Sequence, residues 1–239
     1  MKLDLYTWQA RILPSIFFML PFFVELNYLA VKIGFQITIS TIVTNIFLLI
    51  LLMLCAIWIR YFGRKKENKL FREWDGPPTT RYLRESNDEY NSEKRKEIKK
   101  QLKILFNQLS MPTANTEKSD SQKADKQYEA YIMNLRALTR DSKKFPLVQA
   151  ENRSYGMLRN LLGIKLAACI LNACLFIINI LLCIFYNGLM PLYSCISLNV
   201  VIGIILLIWI TIVTKSKVKD VANCYAERLL ESVTLLMKS

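Results

Sequence analysis

Eight side chains with fixed donor or acceptor geometry crowd residues 139–160: Arg140, Asp141, Glu151, Asn152, Arg153, Tyr155, Arg159 and Asn160. An arginine presents a planar fork that fits a carboxylate or a phosphate, and Asn and Tyr add neutral hydrogen bonds. Such a set suits holding an anion better than breaking a bond. Asp141, Glu151 and Tyr155 are the best catalytic candidates, and they show neither nucleophile–base spacing nor a metal constellation. The chain has no histidine, the commonest general base and metal ligand. It has no Walker-type glycine–lysine loop. No enzymatic activity, metal or cofactor is therefore expected.

A second donor set lies in WDGPPTTRYLR at 74–84. Gly76 and two prolines force an irregular turn, and Thr79 or Thr80 is expected to cap the helix that follows. Arg81 and Arg84 lie just beyond, where a helix N-terminus attracts anions. The candidate ligand-binding residues are thus Thr79, Thr80, Arg81, Arg84, Arg140, Lys143, Lys144, Asn152, Arg153, Tyr155, Arg159 and Asn160. A plainer reading stands level with this one: charged segments beside membrane helices solvate the membrane surface and cap helix ends.

The elements that must carry these residues follow from how the apolar residues are grouped. The composition is 53% hydrophobic, yet 32 Lys and Arg face 19 Asp and Glu, for a net charge of +13. Apolar runs cover 12–30, 37–59, 166–186 and 189–214. A bilayer core of ~30 Å needs about 20 helical residues, so four spanning helices fit. The first run is not a cleavable leader by pattern, since it holds Pro14, Pro21 and Glu25 and a second run follows at once. Residues 60–165 carry 24 Lys or Arg against 14 Asp or Glu. Lys32 is the only charge between the first two runs, and basic loops stay on the cytoplasmic side.

The expected fold is an all-α integral membrane protein. Residues 1–59 hold an N-terminal segment and the first transmembrane pair, and 60–165 a basic cytoplasmic helical domain. The second pair occupies 166–214, and 215–239 a cytoplasmic C-terminal helix. Both termini face the cytoplasm. Within the middle domain, apolar spacing predicts helices over 88–109 and 125–138, with 113–123 as an exposed loop. Six cysteines include no CxxC pair and read as reduced, mostly apolar packing groups.

Polar residues inside the runs are the remaining chemistry. Asn172 and Asn179 lie seven apart on one face of the third run, and Thr38, Thr41 and Asn45 share a face of the second. Both sets are candidate pore-lining residues, Asn172 and Asn179 first, and both also suit hydrogen bonds between packed helices. Glu25 is an acidic group near lipid, which normally faces protein or water. Two amides in an apolar helix need partners or water, and a tail stripe of Val218, Ala222, Tyr225, Leu229, Val233 and Leu236 argues for burial against the middle domain or a neighbouring subunit. A symmetric homo-oligomer with its tail helices in contact is expected.

WDGPPTTRYLR at 74–84, AD-x-x-Y at 124–128, LRALTRD at 135–141, FPLVQAEN at 145–152 and YGMLRN at 155–160 occur in this order. Together with the two-plus-two helix arrangement, they resemble bacterial membrane effectors of nucleotidyltransferase-linked anti-phage defence, the Hailong-type channel effectors. The resemblance covers about 74–165. It implies a pore in the bacterial inner membrane, formed by a homo-oligomer of four chains. Such a pore is gated at the cytoplasmic domain by a nucleotide or oligonucleotide ligand that a partner nucleotidyltransferase makes. The family's YGFRRN reads YGMLRN here, so the role of its first arginine does not transfer. The membrane helices match only in character. A non-conducting membrane anchor or scaffold that docks a cytoplasmic partner is the alternative.

Overall fold

The computed structural model describes residues 4–34 and 39–238, the side chains of 39–45 excepted, and all regular structure among them is helical. Two short N-terminal turns, α1 (Leu5–Thr7) and a π-helical turn (Trp8–Ile12), run into α2 (Leu13–Lys32). Then follow α3 (Ile39–Glu73), α4 (Pro78–Arg81), α5 (Ser92–Leu105), α6 (Ala114–Ser119) and α7 (Ser121–Leu138). The chain ends with α8 (Pro146–Phe185), α9 (Leu192–Thr211) and α10 (Lys215–Leu236). Four stretches are long and apolar enough to cross a membrane: Leu5–Lys32, Ile46–Arg81, Pro146–Phe185 and Leu192–Thr211.

Local chemistry sets most of the helix ends. Pro146, Pro78 and Pro191 stand at or just before helix starts, where a missing N–H is harmless. Asn91, Thr113 and Asp120 each accept from backbone N–H groups of the first turns of α5, α6 and α7. After α3 the chain turns through Asp75 and Gly76, whose φ angles of 58° and 108° lie where only a short polar residue or glycine is comfortable. Pro21 lies inside α2 without ending it.

The chain divides into two compact units, 1–67 with 156–218, and 68–155 with 219–239. The division falls inside α3 and α8. In the first unit the buried positions of α8 form one stripe through Leu161, Ile164, Ala168, Asn172, Leu175 and Asn179. Phe17 packs on Trp209 with ring centroids 5.1 Å apart. The opposite faces carry exposed Phe47, Ile50, Leu54, Trp58, Ile170, Ile177, Ile184, Val200 and Ile204. That much exposed aliphatic and aromatic surface suits lipid contact.

The second unit is closed by α10. Val218 at the boundary and Ala222, Tyr225, Leu229, Leu230 and Val233 are all buried. Thr234 bonds Gln101 at 3.1 Å, and Lys94 lies 3.6 Å from Glu231. The tail stripe is therefore covered within its own chain, and it needs no neighbouring subunit. Two smaller expectations change as well. Residues 114–119 form helix α6 rather than loop, because Thr113 caps it and Tyr128 donates to Glu117. Pro77 occupies the cap position of α4, so Thr79 and Thr80 lie inside that helix and cap nothing.

Candidate functional site

Thr79 and Thr80 are almost fully buried, and both line a cleft of ≈ 550 Å³ with Asn68, Arg72, Glu129 and Arg136. Arg136 donates to Thr79 Oγ1 at 3.5 Å and stands 5.8 Å from the Tyr225 ring. Thr80 Oγ1 is buried with no hydrogen-bond partner. Glu129, Ile132, Met133 and Arg136 reach the cleft because they recur at i, i+3, i+4 and i+7 on α7. Two guanidinium groups against one carboxylate leave the cleft cationic. Arg72 and Arg136 were not among the residues expected from sequence. Arg136 lies in the LRALTRD motif, and the face it shares with Ile132 would have pointed to it.

Arg81 and Arg84 open instead on a second hollow of ≈ 480 Å³, lined also by Glu73, Asp75, Asp88, Glu89 and Lys219. Arg81 pairs with Glu89 at 2.5 Å. Arg84 places Nε and a terminal nitrogen on Asp125 at 2.8 and 2.6 Å and also bonds Asp75. Lys219 lies 3.6 Å from Glu89. Carboxylates thus already fill both guanidinium forks, and an anion would have to exchange with them. Burial pushes the Glu89 carboxyl up, but Arg81 and Lys219 outweigh it and hold it below the usual range.

Beside this hollow, Lys99 donates to Glu85 at 2.5 Å, lies 3.7 Å from Glu117 and stands 5.0 Å over the Tyr128 ring. The Lys99 bond, helped by the charges of Lys99, Arg95 and Lys96 and opposed by burial, holds Glu85 below the usual carboxylate range. Tyr82 and Tyr90 stack at 4.9 Å, and burial is the main reason each is pushed up to about 12.

The 139–160 stretch is distributed over several places. Arg140, Lys143 and Lys144 are exposed, and Asp141 accepts from the Lys143 and Lys144 N–H groups to turn the chain into α8. Asn152 and Arg153 are half-buried on α8. Tyr155 is buried, parallel to Tyr225 at 6.3 Å. Arg159 and Asn160 belong to the other unit. There Arg159 grips both Glu67 oxygens at 3.0 and 3.1 Å, and Asn160 donates to the Ala10 carbonyl at 2.5 Å. Gly156 and Gly163 continue α8 and serve close approach rather than chain reversal, since a Cβ at Gly163 would stand 2.5 Å from Gly63 N.

In the apolar helices, Asn172 and Asn179 are fully buried within the single chain. Asn172 donates to the Ala168 carbonyl at 2.8 Å, and Asn179 donates to Asn199 on α9 at 3.2 Å. Thr38 lies outside the described residues, as do the side chains of Thr41 and Asn45. Among the described residues no group of three His, Cys, Asp or Glu is placed to hold a metal ion. No family model, curated protein or solved structure matches the chain, so the site rests on its own geometry.

Proposed function

We propose that this protein is a membrane channel effector of bacterial anti-phage defence. In this reading it is a homo-oligomer, of four chains by the resemblance, in the inner membrane. Two pairs of spanning helices flank a cytoplasmic helical domain, and both termini are cytoplasmic. A nucleotide or short oligonucleotide made by a partner nucleotidyltransferase binds that domain and sets the state of the pore. The observation that carries this reading is the cleft at α4, where Arg72 and Arg136 stand with two buried threonine hydroxyls, one of them unpartnered. Guanidinium forks and hydroxyls are what a phosphate chain requires, and Tyr225 beneath Arg136 fixes the direction of its fork. Arg140, Lys143, Lys144, Asn152 and Arg153 supply a second cationic stretch for a longer ligand.

The test is binding of short oligonucleotides and cyclic nucleotides to purified protein, with current across a planar bilayer as the readout of gating. Arg136→Ala is expected to weaken binding by at least tenfold, in line with ~1.5–3 kcal/mol for a charged hydrogen bond. Arg81→Ala should have less effect, because its fork is engaged by Glu89. Equal binding by wild type and Arg136→Ala would place the site elsewhere. A non-conducting anchor is the second reading. It is favoured by the burial of the tail stripe and both α8 amides within one chain. Absence of current at any ligand concentration would select it.

A further inference from the structure

The hairpin of α8 and α9 turns through residues 186–191, which carry no charge. Its register is fixed by a bonded pair, since Asn179 donates to Asn199 Oδ1 at 3.2 Å. In antiparallel helices, one turn from such a pair towards the connection brings residues 183 and 195 opposite each other. Both are cysteines. The Cys195 thiol donates to the Asn179 carbonyl at 3.5 Å, the same carbonyl that the Cys183 N–H meets within α8. Cys183 packs against the buried cluster of Met190, Cys195 and Leu198, and the two thiols interact. Tyr28 on α2 joins that cluster and donates to the Leu189 carbonyl at 3.1 Å, which holds the turn in place. Both thiols are free in this structure. The other cysteines lie elsewhere. Cys55 meets Met19 Sδ at 3.9 Å, Cys169 and Cys174 are more than two turns along α8 from Cys183, and Cys224 belongs to the other unit.

Two cysteines that face each other across a fixed hairpin suit a disulfide, which cannot draw distant backbone together without strain. The compartment decides whether such a pair is oxidised. In the orientation proposed above, the uncharged turn lies outside, and Lys165, Lys215 and Lys217 at the other end of the two helices lie inside. We propose that Cys183 and Cys195 form a disulfide that closes the α8–α9 hairpin at its non-cytoplasmic end. The inference rests on that orientation, and it requires no pore, ligand or neighbouring subunit. The oxidant is a disulfide of that compartment, carried by a small molecule or by a protein oxidoreductase. Cys183, the less buried of the two, attacks it as the thiolate and displaces one of its sulfurs. Cys195 then attacks the Cys183 sulfur of the mixed disulfide and displaces the second. Two electrons pass to the oxidant, the two cysteine protons pass through solvent to its released thiolates, and one S–S bond replaces another. Only the first step needs access from outside, which suits one half-buried and one buried thiol.

The experiment traps free thiols with N-ethylmaleimide in intact cells, denatures the full chain in the same reagent and reads its mass. Four of the six cysteines should carry the label without reduction, and all six after it. A digest of the unreduced protein should show one linked pair, Cys183 with Cys195. Cys183→Ser and Cys195→Ser should each be labelled at all of their remaining cysteines without reduction. In parallel, wild type that has been reduced and purified in detergent is incubated with oxidised glutathione, and the same pair should close there. Six labels in cells and six in detergent overturn the pairing, as does a linked pair that involves another cysteine. Six labels in cells with closure in detergent overturn the orientation, and the native disulfide with it. The failure of the pairing and the failure of the orientation are thus told apart.

Discussion

A carboxylate held against an ammonium group makes stability depend on pH, and Glu85 with Lys99 is such a pair. Its hydrogen bond to Lys99 holds Glu85 below the ordinary glutamate value of 4.5. A depressed acid contributes stability that is present above that value and is lost as pH falls through the folded-state value. Acid unfolding of the second unit, 68–155 with 219–239, should therefore steepen below about pH 4.5, and Glu85→Gln should flatten that limb while lowering the plateau at neutral pH. Circular dichroism against pH is the measurement, and parallel acid limbs for both proteins would show that Glu85 carries no such linkage. The sequence marked Arg81, Arg84 and Arg159 as anion binders because their type and motif position allow it. It did not show that Glu89, Asp125 and Glu67 fill their forks, since Asp125 and Glu67 come from far along the chain.

At the level of elements, α3 and α8 meet backbone to backbone at Gly63 and Gly163. A Cβ at Gly163 would stand 2.5 Å from Gly63 N and 2.7 Å from its Cα, and neither atom belongs to a side chain that can turn away. The Arg159–Glu67 pair and the Asn160–Ala10 bond fix the same crossing. Gly163→Ala should destabilise the protein by ~1–3 kcal/mol or more through overpacking. Gly203→Ala on α9 meets nothing within 4 Å and should leave the thermal midpoint in detergent unchanged or slightly raised. Equal midpoints for the two variants would mean that the helices separate freely there. Helical periodicity predicted α7 closely and placed α5 within a few residues, because each buries one stripe. It missed α6, which depends on a threonine cap and a bond from Tyr128 rather than on an apolar face.

For the molecule as a whole, the channel reading expects an assembly, and its contacts must come from surfaces left uncovered by one chain. The tail stripe is used internally, so exposed faces of the long apolar helices, such as Phe47, Ile50, Leu54 and Trp58 on α3, are what remains for a neighbour or for lipid. Mass measurement in mild detergent should give a multiple of the 27.8 kDa chain. A monomer at every concentration would remove the pore and retain the anchor. The sequence by itself determined the four apolar helices and the helical character of the basic segment, because run length and one-face periodicity are local properties that a single strand of text carries. It also showed that Asn172 and Asn179 share a face. Only the tertiary structure decided that this face is packed inside the chain, that α10 closes its own helical unit, and that Arg72 and Arg136 rather than Arg81 line the cationic cleft. Each of those outcomes depends on which distant side chains meet, and a sequence pattern states what a residue can bond without stating what reaches it first.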